Sequence, residues 1–284
     1  MTERNLSWED IFLCYPIFDN ICSHLDPVDI LFLRLTTKKL SPCFESLFKT
    51  QWNINRQLTR FVKDPVSLRS LLAKHDALMS GVFALQFFKR ETWDDTVQFF
   101  KRAIVSPFRK SDPIDEYLMG REGYELQSAK AWSGDLTDLF AGLTAPISEI
   151  KKYHRRSSTK AEAVHVRIIY TIGTPLKAIF RIFRGSFVVN IISWNFAYSL
   201  FPALNYIKRT AHGSKGGRNA NSEVTWTWQE AAAQGGIKHL HSLQFRRIGD
   251  SYTWSIALDT NGVKAGQPTS VLQHSFFKVM ENPS

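Results

Sequence analysis

Ser80, Gly81, Asp94 and Asp95 are of the residue types that handle phosphates and divalent metal, and they fall within one short stretch, "SGVFALQFFKRETWDD". A Ser-Gly turn can present a hydroxyl and backbone N–H groups to phosphate oxygens. Two carboxylates one residue apart on a strand point to one face, where they can share an ion that orients those phosphates for transfer. Here the carboxylates are adjacent. On a strand, neighbouring side chains face opposite ways, so Asp94 and Asp95 are not expected to hold one ion.

Other candidate chemistry is thinner. Gly213 to Gly217 is glycine-rich but lacks the order of a phosphate-cradling loop, and reads as a flexible connection. His239 and His241 could offer two imidazoles on one strand face, with no third ligand near them in sequence. Asp135 and Asp138 would share a helix face as solvated carboxylates. Two basic runs stand out, "KKYHRRSSTK" and "KRTAHGSKGGR". Both are expected in loops, where Lys151, Lys152, Arg155, Arg156, Lys215 and Arg218 are candidates to touch phosphates without reading bases.

The chain has 284 residues, 44% of them hydrophobic and 13% aromatic, which is ample for one large or two ordinary domains. Its formal charge of +10 favours acidic partners without naming one. Three cysteines, Cys14, Cys22 and Cys43, cannot pair completely and form no C-x-x-C, so neither a disulfide framework nor a zinc site is indicated and a reducing compartment is expected. Glu3, Glu9 and Asp10 stand where a signal peptide would be basic and then apolar. The greasiest run, 186–204, is broken by Asn190, Ser193, Asn195, Ser199 and Pro202, and reads as buried core. The expectation is a cytoplasmic or nuclear protein that does not span a membrane.

The elements that would carry these residues begin with a helical head. Ile17, Ile21 and Leu25 recur every four residues beside Phe18, and Asp26-Pro27 restarts the chain as a helix opening with Ile30, Leu31, Leu33 and Leu35. A third helix is predicted over Lys39–Trp52, with Leu40, Phe44, Leu47 and Phe48 inward. The order of Leu13, Ile17, Phe18, Ile21, Ser23, Leu25, Asp26, Pro27, Asp29 and Ile30, followed by Leu33, Arg34, Thr36, Lys38 and Leu40, resembles the F-box. Cys14 and Pro16 depart from that pattern, replacing its usual Pro and acidic residue. The resemblance implies docking to the small adaptor subunit of a cullin-type ubiquitin ligase through Leu13, Ile17, Phe18, Ile21, Leu25, Pro27 and Leu31. The plain alternative is a three-helix cap packed inward.

Downstream, Pro65 opens a helix bearing Val66, Leu68, Leu71 and Leu72, and Val82–Phe88 continues after the turn as helix or buried strand. Leu243 and Phe245, then Tyr252, Trp254, Ile256 and Leu258 across Gly249-Asp250, read as a hairpin with its aromatics in the core. The stretch around Ser80, with "REGYEL", "VVNIISWNFAYSLFP" and "RRIGDSYTW", resembles fungal proteins that join an F-box-like head to a nucleotidyltransferase-like domain. That resemblance implies strands at Val164–Tyr170 and Phe187–Ile192. It also implies a Ser after Gly81, where this chain has Val82, and a third carboxylate on a neighbouring strand, where it has Asn190. Ser80, Gly81, Asp94 and Asp95 then mark a vestigial nucleotide site. The expected architecture is α+β: an F-box-like three-helix unit over 6–60, then a nucleotidyltransferase-like domain over 61–284. The expected function is a non-enzymatic interaction module with no metal and no cofactor. The rivals are a metal-dependent nucleotidyltransferase and a nucleic-acid-binding relative of one.

Overall fold

In the computed structural model of the chain, the described residues are 8–103, 112–131, 147–156, 163–182, 189–202, 225–227, 245–266 and 270–280. The first third is helical: α1 (Trp8–Leu13), α2 (Tyr15–His24), α3 (Pro27–Thr36), α4 (Ser41–Thr50), α5 (Ile54–Leu58) and α6 (Pro65–Lys74). Proline stands in the first turn of α2, α3, α4 and α6, where its missing N–H costs nothing. Asn53 and Asp64 accept from the N–H groups of Arg56 and Ser67 at 3.0 Å, capping α5 and α6. Asp26 precedes α3 but makes no such capping bond. The third helix expected in the head is shorter than its apolar pattern, because a 3₁₀ turn at Lys38–Leu40 precedes α4.

Behind the head lies a mixed sheet of eight strands. β1 (Leu78–Ser80) leads through α7 (Val82–Lys89) to β2 (Thr96–Arg102), and α8 (Pro113–Gly120) precedes β3 (Glu125–Ala131), β4 (Ile147–Arg156) and β5 (Ala163–Thr171). After α9 (Pro175–Ile182) come β6 (Asn190–Ile192) and β7 (Phe196–Ser199). A second, three-stranded sheet holds β8 (Thr225–Thr227), β9 (Phe245–Arg247) and β11 (Phe276–Met280), and α10 (Ser270–Gln273) precedes that last strand. β10 (Trp254–Ala257) joins the large sheet, whose order is β10-β7-β6-β1-β2-β5-β4-β3. β2 and β5 run parallel and the other neighbours antiparallel.

The Gly249-Asp250 turn does not close a hairpin. β9 pairs with β11 and β10 with β7, so the two strands belong to different sheets. The Asp250 carboxylate accepts from the Tyr252 N–H at 3.1 Å and the Thr253 hydroxyl at 2.9 Å, while Arg246 pairs with it at 2.8 Å. These bonds re-aim the chain between sheets. Trp254, Ile256 and Leu258 do enter the core, but Tyr252 is exposed.

Both faces of the large sheet carry a core. On one, Val97, Phe99, Val166, Ile168 and Tyr153 meet Phe83, Phe87 and the head helices in a single apolar cluster. On the other, Leu78, Phe100, Ile169 and Ile191 lie under α9. An edge-on aromatic chain ties head to body, from Phe18 to Phe44 (5.0 Å), Phe48 to Trp52 (5.4 Å), and Trp52 to Trp254 (5.4 Å). Among the described residues no helix is long and apolar enough to cross a membrane.

Arg90 adds a polar bond at the same seam. It ends α7 with left-handed backbone, φ 59° and ψ 26°, a conformation that costs a side-chain-bearing residue about 1 kcal/mol. Its guanidinium donates to the Cys22 carbonyl at 2.9 Å, to the Leu25 carbonyl and to Gln51, and lies 4.8 Å over the Trp52 ring. The Cys22 and Leu25 carbonyls close α2, so a cation from the body satisfies groups that a helix end leaves open. We predict that Arg90→Ala lowers unfolding stability by about 2–4 kcal/mol, since charged hydrogen bonds to the Cys22 and Leu25 carbonyls and to Gln51 are lost together. Arg90→Lys should not rescue it, because an ammonium cannot span that set of acceptors. Urea denaturation together with limited proteolysis within 8–50 measures both effects.

Candidate functional site

The Ser80-Gly81 turn is present, but its groups are already engaged. Gly81 has φ 81° and ψ −148°, a backbone that favours glycine, and it introduces α7. The Ser80 hydroxyl is fully buried and donates to the Asn190 carbonyl at 2.6 Å. Asp94 and Asp95 precede β2 instead of lying on it. Arg60 fastens this approach, pairing with Asp95 at 2.7 Å and donating to the Asp94 carbonyl at 2.7 Å. The alternation argued from a strand therefore does not apply to these two residues. Asp95 is unsuited to a metal because a guanidinium already neutralises it.

The residues that share a face at the start of β2 are Thr96 and Gln98, and Gln98 is in register with Ser80. On the parallel neighbour, β5, the partners of Thr96 and Gln98 are His165 and Arg167. A divalent-metal centre here would need carboxylates. The donor set is instead a hydroxyl, an amide, an imidazole and a guanidinium, and it does not fit such an ion. Among the described residues no group of three or more His, Cys, Asp or Glu side chains could hold a metal ion.

The basic run at Lys151 was expected in a loop, yet 151–156 form the second half of β4, and strand alternation divides its charges. Lys151 pairs with Asp115, while Arg155 pairs with Glu122 at 3.2 Å and donates to the Phe61 carbonyl at 2.8 Å. Those carboxylates are buried at the helix-covered face. Lys152 and Arg156 point to the other face. Lys215 and Arg218, like Gly213, His239, His241, Asp135 and Asp138, lie outside the described residues.

The head divides its apolar residues in the same two-sided way. Phe18 and Cys22 are the buried residues of α2, so Phe18 faces Phe44 and is not available to a partner. Leu25 and Leu31 pack partly against the core, and Ile21 and Pro27 are half-buried. Leu13 (46%) and Ile17 (42%) are exposed. The sequence pattern missed Trp8 (53% exposed) and Ile11 on α1, and Phe32 and Leu35 (81% exposed) on α3. The available signal was that "ILFLRL" is apolar around much of its circumference, so a helix burying Ile30 must turn other apolar residues outward. Cys14 is exposed between α1 and α2, whereas Cys22 and Cys43 are buried, and burial pushes the Cys22 thiol up to about 11.

No family model matches the sequence, nor does any curated protein or solved structure. The residues themselves are what remains to argue from.

The helix-covered face also holds tyrosines whose ionisation folding suppresses. Tyr153 and Tyr170 donate to Asp115 at 2.7 and 2.9 Å, and Tyr117 donates to Glu122 at 2.7 Å. Burial first, then the neighbouring carboxylate, raises all three phenols well above their ordinary range. A folded-state value above the unfolded one stabilises fully below the unfolded value, about 10 for tyrosine, and that contribution is lost as pH rises beyond it. We therefore predict that unfolding free energy falls steadily above pH ~10. Phenolate absorbance of these tyrosines should appear only with the loss of circular dichroism. A smooth titration of every tyrosine with the fold intact would refute it.

Proposed function

We propose that the chain is a non-enzymatic interaction module of the F-box type, a substrate receptor or adaptor of a cullin-type ubiquitin ligase. The head docks the small adaptor subunit and the sheet-bearing body presents a surface to a protein target. The reading is carried by the outward placement of Ile17 on α2, whose own buried residues are Phe18 and Cys22, and of Leu13 at the end of α1. Residues that a head needs for its own packing would not be left exposed beside Trp8 and Ile11. Burying each such side chain in a partner contributes about 1.5–3 kcal/mol before association costs, so a few anchors suffice for recognition.

A carboxylate at Ile17 opposes that burial without touching the core. We predict that Ile17→Asp and Leu13→Asp each reduce adaptor co-purification at least tenfold while leaving unfolding stability within about 0.5 kcal/mol, as exposed positions allow. Equal recovery of adaptor by wild type and both variants, or none by any of them, removes the docking reading.

A further inference from the structure

The cations of the large sheet are paired on one face and, among the described residues, have no carboxylate partner on the other. Lys101, Lys151 and Arg155 point to the helix-covered face, and each has a carboxylate partner: Asp112, Asp115 and Glu122. The opposite face divides at Phe100 and Ile169. Beyond them α9 covers the sheet, while before them β2, β5, β4 and β3 present polar residues. The register aligns Gln98, Arg167, Lys152 and Ser128 in one row across four strands, and Thr96, His165, His154 and Glu125 in types and positions across the next. Lys130 and Arg156 lie on the same face, two positions beyond Ser128 and His154 along their strands. Among the described residues no carboxylate pairs with Arg167, Lys152, Arg156 or Lys130. Glu125 is the acidic member of the strip, and it is 3.5 Å from His154. The Gln98 side-chain oxygen is shielded from solvent and has no hydrogen-bond partner among the described residues.

We propose that this strip binds single-stranded nucleic acid through its phosphates, independently of metal and separately from the head. Paired cations on the covered face stabilise the fold, whereas leaving four cations together on a polar strip costs mutual repulsion that an anion relieves. Neighbouring strands are ~4.8 Å apart and same-face residues ~6.7 Å apart along a strand, so the strip from Lys130 to Arg156 spans roughly 14 Å by 20 Å. That accommodates a few nucleotides of an extended chain. Thr96, Ser128 and the Gln98 amide are small polar groups suited to phosphate oxygens. Among the described residues the exposed part of the face offers no Phe, Tyr or Trp on which bases could stack, so binding is chiefly by backbone and tolerant of sequence.

The test uses the full chain and a short fluorescein-labelled oligouridine, followed by anisotropy. Four phosphate contacts at a slope of about −0.7 each predict that affinity falls about 50-fold between 50 and 200 mM salt. Lys152→Glu with Arg167→Glu should weaken binding at 50 mM salt more than tenfold and flatten the slope. The charge-matched pair Lys38→Glu with Lys49→Glu, exposed on the head, should change it less than threefold. Lys152→Gln with Arg167→Gln gives the same direction with a milder change, should the reversed pair fail to fold. Wild type that does not bind at 50 mM salt overturns the proposal. So does an equal loss in the strip and head variants, or tighter binding of the complementary duplex or of a phosphoserine peptide.

Discussion

The position of the head on the body depends on Arg90. Its left-handed backbone ends α7, and its guanidinium reaches the last carbonyls of α2 over the Trp52 ring. Burial lowers the pKa of this cation, with Cys22 and Asp26 opposing the shift, so its charge is held in place by hydrogen bonds that a neutral group could not replace. The Trp52 indole extends the tie by donating to the Phe88 carbonyl at 3.1 Å, on the turn before Arg90. With α2 fixed in this way, Phe18 packs on Phe12 and Phe44, Cys22 is buried, and Ile17 is left exposed on the same helix. The exposed apolar face is thus a consequence of how the seam is closed.

The sheet works by the same separation. Its helix-covered face contains charge, but every buried carboxylate there is surrounded by donors: Asp115 by two phenols and Lys151, Glu122 by Tyr117, Arg155 and the Lys63 N–H at 2.7 Å. Buried ions in that state hold one arrangement and tolerate loss of a partner poorly. The other face combines an apolar half under α9 with a polar half that carries cations.

Much of this was legible from local rules. The helix starts at Pro27 and Pro65 follow from short-range chemistry and each is found, and the strand that the resemblance implied over Val164–Tyr170 lies within β5. β6 begins at Asn190, inside the range expected for it. The failures share one cause, which is that pairing is decided at long range. Gly249-Asp250 is a true turn, but Trp254 is drawn toward Trp52 and Phe88, so the strands on either side join different sheets. "KKYHRR" looks like a solvated loop because its charges are dense; it is a strand because alternate members meet Asp115 and Glu122, which come from α8 and the turn after it. Asp94 and Asp95 missed the strand by one residue, a boundary error large enough to exchange carboxylates for Thr96 and Gln98. Leu13 and Ile17 are exposed, while Phe18 was assigned to a partner although the chain's own Phe44 occupies it.

The distribution of thiols has a practical corollary. Cys22 and Cys43 are enclosed, and Cys14 stands open in the joint beside Leu13, a few residues from Ile17. A maleimide dye would thus mark the native molecule at one address, on the rim of the surface assigned to recognition. No engineered label is needed to watch that surface become occupied by a change in emission.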